Sequence, residues 1–318
     1  MQKLVFKYFM SIVVFGSINM DMIAQTPRFP QPGETITGTH FITLPGGKGA
    51  NQAVATAKLG RSTYFVGRVG GDSLGRDLLK KLETFDINTQ GVLIDKNTSS
   101  GVAMITVETS GENSIIVIPG ANGNINESDV IRLEKILLKT SLLLLQLEIP
   151  LKAVEIAALE AKKLGVTVML DPAPAPEKIP DSLYPLIDII TPNQTEAAKL
   201  VGFPVSDTET IKKAAEELLQ KGVKIVIIKL GQKGAFYATE NEEGFVAPTA
   251  VKAIDTVGAG DGFNGGVAAA LDRGLSLKEA LKWGAIVGAL TTTEEGAQTA
   301  LPDLETVEQL INNPLSSL

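Results

Sequence analysis

From residue 142 onward, apolar runs alternate with amphipathic stretches. An apolar run at 142–147 is followed by a helix-like pattern over 151–164 that stops at Gly165. A strand-like run at 166–170, a Pro-rich turn and a short apolar run at 187–190 come next. A helix starts near Asn193, another spans 207–221 and stops at Gly222, and 224–228 reads as a strand. Apolar runs bounded by Gly or Pro and separated by amphipathic helices predict buried parallel strands in βαβ units. Residues 12–17 read as the first such strand. The expected fold is α/β: a doubly wound, mostly parallel sheet flanked by helices, with ligands at the carboxyl ends of its strands.

Two stretches break this rhythm. Residues 22–44 and 101–118 are rich in Thr, Val, Ile, Gly and Pro, and the second reads as a hairpin turning at Ser110-Gly111-Glu112-Asn113. Antiparallel strands with no helix to cover them need another surface. They predict a small β-sheet, built from about 20–45 and 97–120, that serves as a lid over the site, a dimer surface, or both. The expectation is a single α/β domain over 11–318 carrying this lid, with 1–10 as an N-terminal leader.

Composition narrows the chemistry. At 318 residues the chain exceeds the usual size of one hydrophobic core, which an appendage would accommodate. A net charge of −7 without a long basic run argues against a nucleic-acid partner. The absence of cysteine excludes disulfides, thiolate nucleophiles and Cys/His zinc sites. The one histidine, His40, has no nucleophile-elbow motif to serve, so acid/base work falls to carboxylates or lysines. Residues 1–16 resemble a signal peptide in part, but Lys7 interrupts the apolar stretch and no small-residue cleavage site follows. No run reaches the roughly 18 apolar residues of a membrane span. These features predict a cytoplasmic protein that does not engage membranes.

Four segments carry candidate chemistry. In AIDTVGAGDGFNGG, residues 253–266, Gly258, Ala259 and Gly260 lead into a helix expected from Asp261 to about 271. Small residues at a helix start let backbone N–H groups approach an anion, and the helix dipole favours negative charge there. A carboxylate beside such a nest suits a proton acceptor, with the nest stabilising a transferring phosphoryl group. The alternative is that Asp261 merely caps its helix. In LPGGKGANQAVATAKLG, residues 44–60, a double glycine enters a helix whose first turn carries Lys48 and Asn51 on one face. That wall suits a polyol, and no Walker A pattern is present. In GSINMD, which is expected to close the first strand, Asn19 and Asp21 point the same way if extended, which suits vicinal hydroxyls, although both residues are common in turns. In ITPNQTEAAKL, Asn193 and Glu196 form either a capping box or a site orienting water around a magnesium–nucleotide complex.

Taken in order, GSINMD, GGKGANQA, LLLQLE, DPAPAP, TPNQTE, KLGQKG, DTVGAGD and EEGAQ resemble the ribokinase-like carbohydrate kinase family over nearly the whole chain. The resemblance implies an enzyme that phosphorylates D-ribose at its primary (O5) hydroxyl with ATP, and a homodimer formed through the lid. It assigns Asp261 as general base and Gly258, Ala259 and Gly260 as the anion hole. It places Asn19, Met20, Asp21, Gly47, Lys48, Asn51 and Glu148 at the sugar. Asn193, Lys229, Gly231, Gly234 and Gly260 fall where the family holds ATP, with Glu196 at the magnesium position, acting through water. A potassium ion is implied at Asp255, Val257, Thr291, Glu294, Gly296 and Ala300, several of them through backbone carbonyls.

The chain departs from the family pattern at Gly262, where Thr is common, at Ala285, where His or Asn faces the adenine, and at Ala300, where Ser is familiar. Glycine at 262 is expected to loosen the helix start by roughly 1 kcal/mol, and Ala285 to weaken adenine preference. Sibling kinases of deoxyribose, another pentose or a nucleoside stay open, as does a non-catalytic sugar or nucleotide sensor on the same fold.

Overall fold

A computed structural model describes residues 11–312. The leader expected at 1–10 lies outside the described residues. The chain opens with β1 (Ser11–Phe15), β2 (Asn19–Thr26), β3 (His40–Gly46), α1 (Lys48–Lys58), β4 (Thr63–Gly70), α2 (Ser73–Glu83) and β5 (Asn88–Asp95). It continues through β6 (Gly101–Glu108), β7 (Asn113–Ile118), α3 (Glu127–Leu137), β8 (Thr140–Leu145), α4 (Leu151–Lys163), β9 (Thr167–Leu170) and β10 (Ile189–Ile190). The last part holds α5 (Gln194–Val201), α6 (Thr208–Gln220), β11 (Ile225–Lys229), β12 (Ala235–Thr239), β13 (Glu243–Val246), α7 (Ala259–Asp272), α8 (Leu277–Thr291) and α9 (Leu304–Asn312).

Nine strands form the large sheet in the order β13-β12-β11-β10-β9-β8-β1-β4-β5. All pairings from β11 to β5 are parallel, and β12 and β13 close one edge antiparallel. Strand β1 (SIVVF) and the TSLLLL run of β8 are buried because helices cover both faces of the sheet. From β1 the chain moves outward to β4 and β5, then returns to β8 and builds the other way. This reversal makes β1/β8 the topological switch point, where a crevice opens at the strands' carboxyl ends. The fold class is the expected doubly wound α/β arrangement.

The four strands β3-β2-β6-β7 form a separate small sheet. The expected hairpin is there, joining β6 to β7 with Gly111 at φ +89°. Along β7 every residue is exposed, and Ile116 on β7 (62% exposed) and Phe41 on β3 (65%) are among the bare apolar side chains of the small sheet. Among the described residues no helix is long and apolar enough to cross a membrane.

Two boundaries differ from the sequence reading. Asn19 and Asp21 open β2 of the small sheet and do not close β1. Helix α7 begins at Ala259, two residues before the expected start, with Gly258 at its N-cap and φ +76°. Asp261 therefore lies inside the first turn, and the simple capping reading falls.

Candidate active site

The GGKG run lets α1 start directly against the turn after β1. A Cβ on Gly49 would lie 2.7 Å from the backbone N and O of Ser17, and one on Gly47, at φ +87°, 2.8 Å from Asn19 N. A second close approach joins α1 to α7, because a Cβ on Gly265 would meet Ala55 Cβ at 2.3 Å. Glycine at these positions brings the Lys48–Asn51–Gln52 turn of α1 up to Asp261.

Asp261 is 5% exposed and holds amide donors on both oxygens. Asn51 Nδ2 donates to Oδ2 at 2.9 Å and Gln52 Nε2 to Oδ1 at 3.1 Å. Both amides are held in turn. Gln298 Nε2 donates to Asn51 Oδ1 at 3.1 Å, and Gln146 Nε2 to Gln52 Oε1 at 2.7 Å. Burial pushes the Asp261 carboxyl up from the usual range, while the Lys48 ammonium pulls it back. Lys48 is itself held well above the ordinary lysine range, chiefly by Asp261. A carboxylate has about four lone-pair positions, so Asp261 keeps capacity to accept a proton from a bound hydroxyl.

On the side facing the small sheet stand Asn19, Asp21 and Glu148. Asn122 locks Asn19: its Nδ2 donates to Asn19 Oδ1 at 2.7 Å and to Ile18 O at 3.0 Å, and its Oδ1 accepts from Ile18 N at 3.1 Å. With its carbonyl taken, Asn19 presents N–H donors. Gly101 makes the room, since a Cβ there would lie 2.2 Å from Asn19 Oδ1. Burial first, then the charges of Glu148 and Asp261, raise the Asp21 carboxyl to about 7. Glu148 Oε2 accepts from Lys48 N at 3.0 Å and from the Ser17 hydroxyl. Met20, between Asn19 and Asp21, packs into the core, so only its backbone is available to a ligand.

On the far side of Asp261 lies a cavity of about 700 Å³. Lys229, Gly231, Gly234, Ala259 and Gly260 line it, together with Ala250, Val251, Ala253, Ala285, Gly288 and Ala289. Ala285 thus lies in a part of the wall rich in small apolar residues, and Gln232, Thr249, Thr256, Phe263 and Thr292 also line the cavity. Asn193 is not in the lining. It bridges Lys229 in parallel and caps α5, accepting from Glu196 N at 2.8 Å while Asn193 N donates to Glu196 Oε2 at 2.7 Å. The capping box is therefore real. Burial also pushes the Glu196 carboxyl up.

Asp255 braces two loops beside this cavity, accepting from Val257 N at 3.0 Å and Gly296 N at 2.9 Å. Ile254 N and Asp255 N both donate to Thr292 O, which draws the end of α8 into the same cluster. Among the described residues no three His, Asp or Glu side chains are grouped to hold a metal ion, so a cation here would depend on backbone carbonyls. Glu294 is exposed and Ala300 buried. Gly262 does not leave a gap at the helix start, because a Cβ there would lie 2.5 Å from Thr291 Oγ1 and 3.2 Å from Leu301 Cδ2. Those side chains fill the space that a larger residue would take.

Gln52, Gln146, Asp171, Gln298 and Asn122 had no role in the sequence reading. The first four lie inside GGKGANQA, LLLQLE, DPAPAP and EEGAQ, and Gln146 stands out as an amide in a leucine run. Asn122 carried no such signal; it meets Asn19 across 103 residues of chain.

A buried carboxylate between a polar pocket and a glycine-lined cavity at a helix entrance is an arrangement suited to phosphoryl transfer. The sequence model of the pfkB family carbohydrate kinases matches residues 10–304. The chain belongs to that family. It is 42% identical to a ribokinase of Haemophilus influenzae, over 94% of this chain and 98% of the relative. It is 38% identical to a deoxyribokinase of Salmonella typhi, over 95% of this chain and 99% of the relative. Among solved structures, ribokinase of Arabidopsis thaliana complexed with ribose and ATP superposes with a TM-score of 0.89 at 36% identity, covering 95% of this chain and 98% of that one.

Proposed function

We propose that this carbohydrate kinase transfers the γ-phosphoryl group of ATP to the O5 hydroxyl of D-ribose, giving ribose 5-phosphate and ADP. The observation that carries this reading is the position of Asp261, between the pocket of Asn19, Asp21, Lys48, Asn51 and Glu148 and the entrance of α7. The O5–H proton passes to Asp261, O5 bonds to the γ-phosphorus, and the bond to the β–γ bridging oxygen breaks. Backbone N–H groups of Gly258, Ala259 and Gly260 receive the charge on the transferring group. Asn19 donates to a sugar oxygen, while Asp21 and Glu148 accept from sugar hydroxyls. Gly47 and the backbone of Met20 shape the pocket floor. Gly231 and Gly234 let the nucleotide approach the strand ends, with Lys229 and Asn193 beside them.

Magnesium travelling with ATP would neutralise phosphate charge, and the Glu196 carboxylate would orient its water. A potassium ion would be held by Asp255 and the carbonyls of Val257, Thr291, Glu294, Gly296 and Ala300, shaping the nest without touching substrate. The brace that Asp255 makes between the two loops supports that placement. The small sheet acts as a lid that excludes water, and its bare apolar strands support a homodimer through that surface. ATP as co-substrate and a chain without cysteine favour the cytoplasm.

Similarity to a deoxyribokinase at a comparable level supports a second reading, with 2-deoxyribose as acceptor. ADP release measured with ATP, magnesium and potassium, across D-ribose, 2-deoxyribose, fructose and adenosine, separates the readings. Fastest release with D-ribose is expected. Preference for 2-deoxyribose would keep the mechanism and replace the substrate, and folded protein with no sugar-dependent release would favour a sensor.

A further inference from the structure

Asp171 leaves the carboxyl end of β9 almost wholly buried, and it joins the two halves of the cleft. Its Oδ1 accepts from Lys229 Nζ at 2.9 Å, and its Oδ2 accepts from Gln52 Nε2 at 2.9 Å. The same Gln52 nitrogen donates to Asp261 Oδ1 at 3.1 Å. A primary amide nitrogen carries two hydrogens, one for each carboxylate. Gln146 donates to Gln52 Oε1 at 2.7 Å and so decides which end of the amide faces the acids. Gln52 is fully buried.

At the other end, Lys229 is the only charged residue lining the nucleotide cavity among the described residues. A Cβ built on Gly260 would lie 3.5 Å from its Nζ. The ammonium therefore stands at the first turn of α7, where the helix dipole already favours an anion.

We propose that Asp171 and Gln52 are positioning residues that bind the nucleotide side of the cleft to the proton acceptor: Asp171 holds the Lys229 ammonium at the α7 entrance, and Gln52 sets the separation of Asp171 from Asp261. The inference rests on the kinase reading above. Its physical basis is that two buried carboxylates on one amide are tolerable only when positive charge flanks them. Lys229 supplies it beside Asp171, and Lys48 beside Asp261. The groups facing Asp261 are Lys48 from α1, Asp171 after β9 and Asp21 from β2. Neutralising Asp171 frees Lys229 to swing and removes a negative neighbour from Asp261; neutralising Lys229 leaves Asp171 unbalanced beside it.

The test is ADP binding to the full chain by calorimetry, without sugar, followed by the pH profile of kcat with ribose. Lys229→Met is expected to weaken ADP binding about tenfold or more, the scale of a lost charged hydrogen bond. Asp171→Asn should weaken it by a smaller factor and leave ribose affinity unchanged. The double variant should bind ADP no more weakly than Lys229→Met alone. Asp171→Asn should move the acid limb of the profile to lower pH, whereas Lys229→Met should move it to higher pH. Wild-type ADP affinity in Asp171→Asn, or losses that multiply in the double variant, would overturn the proposal. If Asp171→Asn does not fold, Lys229→Met decides alone: an unshifted acid limb overturns the link. A wild-type chain that binds no ADP sinks the kinase reading as well, which distinguishes the two failures.

Discussion

The two halves of the cleft are made differently. The sugar half is made of side chains whose spare atoms are pinned by other side chains, as Asn122 pins Asn19 and Gln298 pins Asn51. The nucleotide half is richer in backbone and small residues, with Gly258 and Gly260 at the helix entrance and Ala250, Ala253, Ala285 and Ala289 in the wall beside Lys229, Phe263 and a few hydroxyls. A site of oriented donors and acceptors rejects an analogue that lacks one hydroxyl, because a buried polar group is then left unpaired. An apolar wall discriminates mainly by shape. The cleft should therefore be strict about its sugar and lenient about the base of its nucleotide.

The largest effect tests the boundary between the halves. Asp261→Asn should lower turnover by roughly 10²–10⁴-fold, the range of general-base catalysis, while sugar and ADP affinities stay within a few-fold. Loss of both affinities would mean that Asp261 organises the cleft and does not accept the proton.

Next comes the pH response of the sugar half. With its carboxyl raised to about 7, Asp21, as the proposed sugar contact, would be an ionised acceptor above that pH and protonated below it. The sugar KM should rise by about tenfold from pH 8 to pH 6, and Asp21→Asn should flatten the change. A raised carboxyl also means that the folded chain holds this proton more tightly than the unfolded one. Its contribution to stability is complete below the ordinary Asp value of 3.8 and is lost as pH rises through about 7. Thermal unfolding of the ligand-free protein should show that component in wild type and not in Asp21→Asn.

Asn122→Ala frees the Asn19 amide to flip. It should raise the sugar KM by about three- to tenfold, the cost of one misdirected buried hydrogen bond, with the nucleotide KM unchanged. Equal changes in both constants would erase the contrast between the halves. The smallest effect belongs to Ala285→Asn, which adds one donor and acceptor to an apolar wall. The ratio of kcat/KM for ATP over GTP should shift by less than about tenfold, and a larger shift would show that the wall already reads the base.

Much of the site was legible because it is local. Lys48 and Asn51 share a helix face through a three-residue spacing, and Gly258, Ala259, Gly260 and Asp261 are consecutive. The capping box of Asn193 and Glu196 follows from spacing alone and is present. Where the reading missed, the cause was tertiary. Helix α7 starts at Ala259 because Gly258 adopts a positive φ, a backbone choice that sequence permits but does not dictate. Asn19 opens a strand of the small sheet because β6 pairs with it at Gly101.

Hydrophobic periodicity, glycine placement and motif order were enough to determine the α/β class and the small sheet and to single out Asp261 as a candidate, since each depends on neighbours along the chain. The orientation of every amide around Asp261 was decided only by folding. Gln52 meets Asp171 and Asp261 across 119 and 209 residues, and Asn51 meets Gln298 across 247. Such contacts have no local period to betray them; they exist because the fold brings α1 against α7, where Gly265 leaves room for Ala55, and against the segments that carry Asp171 and Gln298.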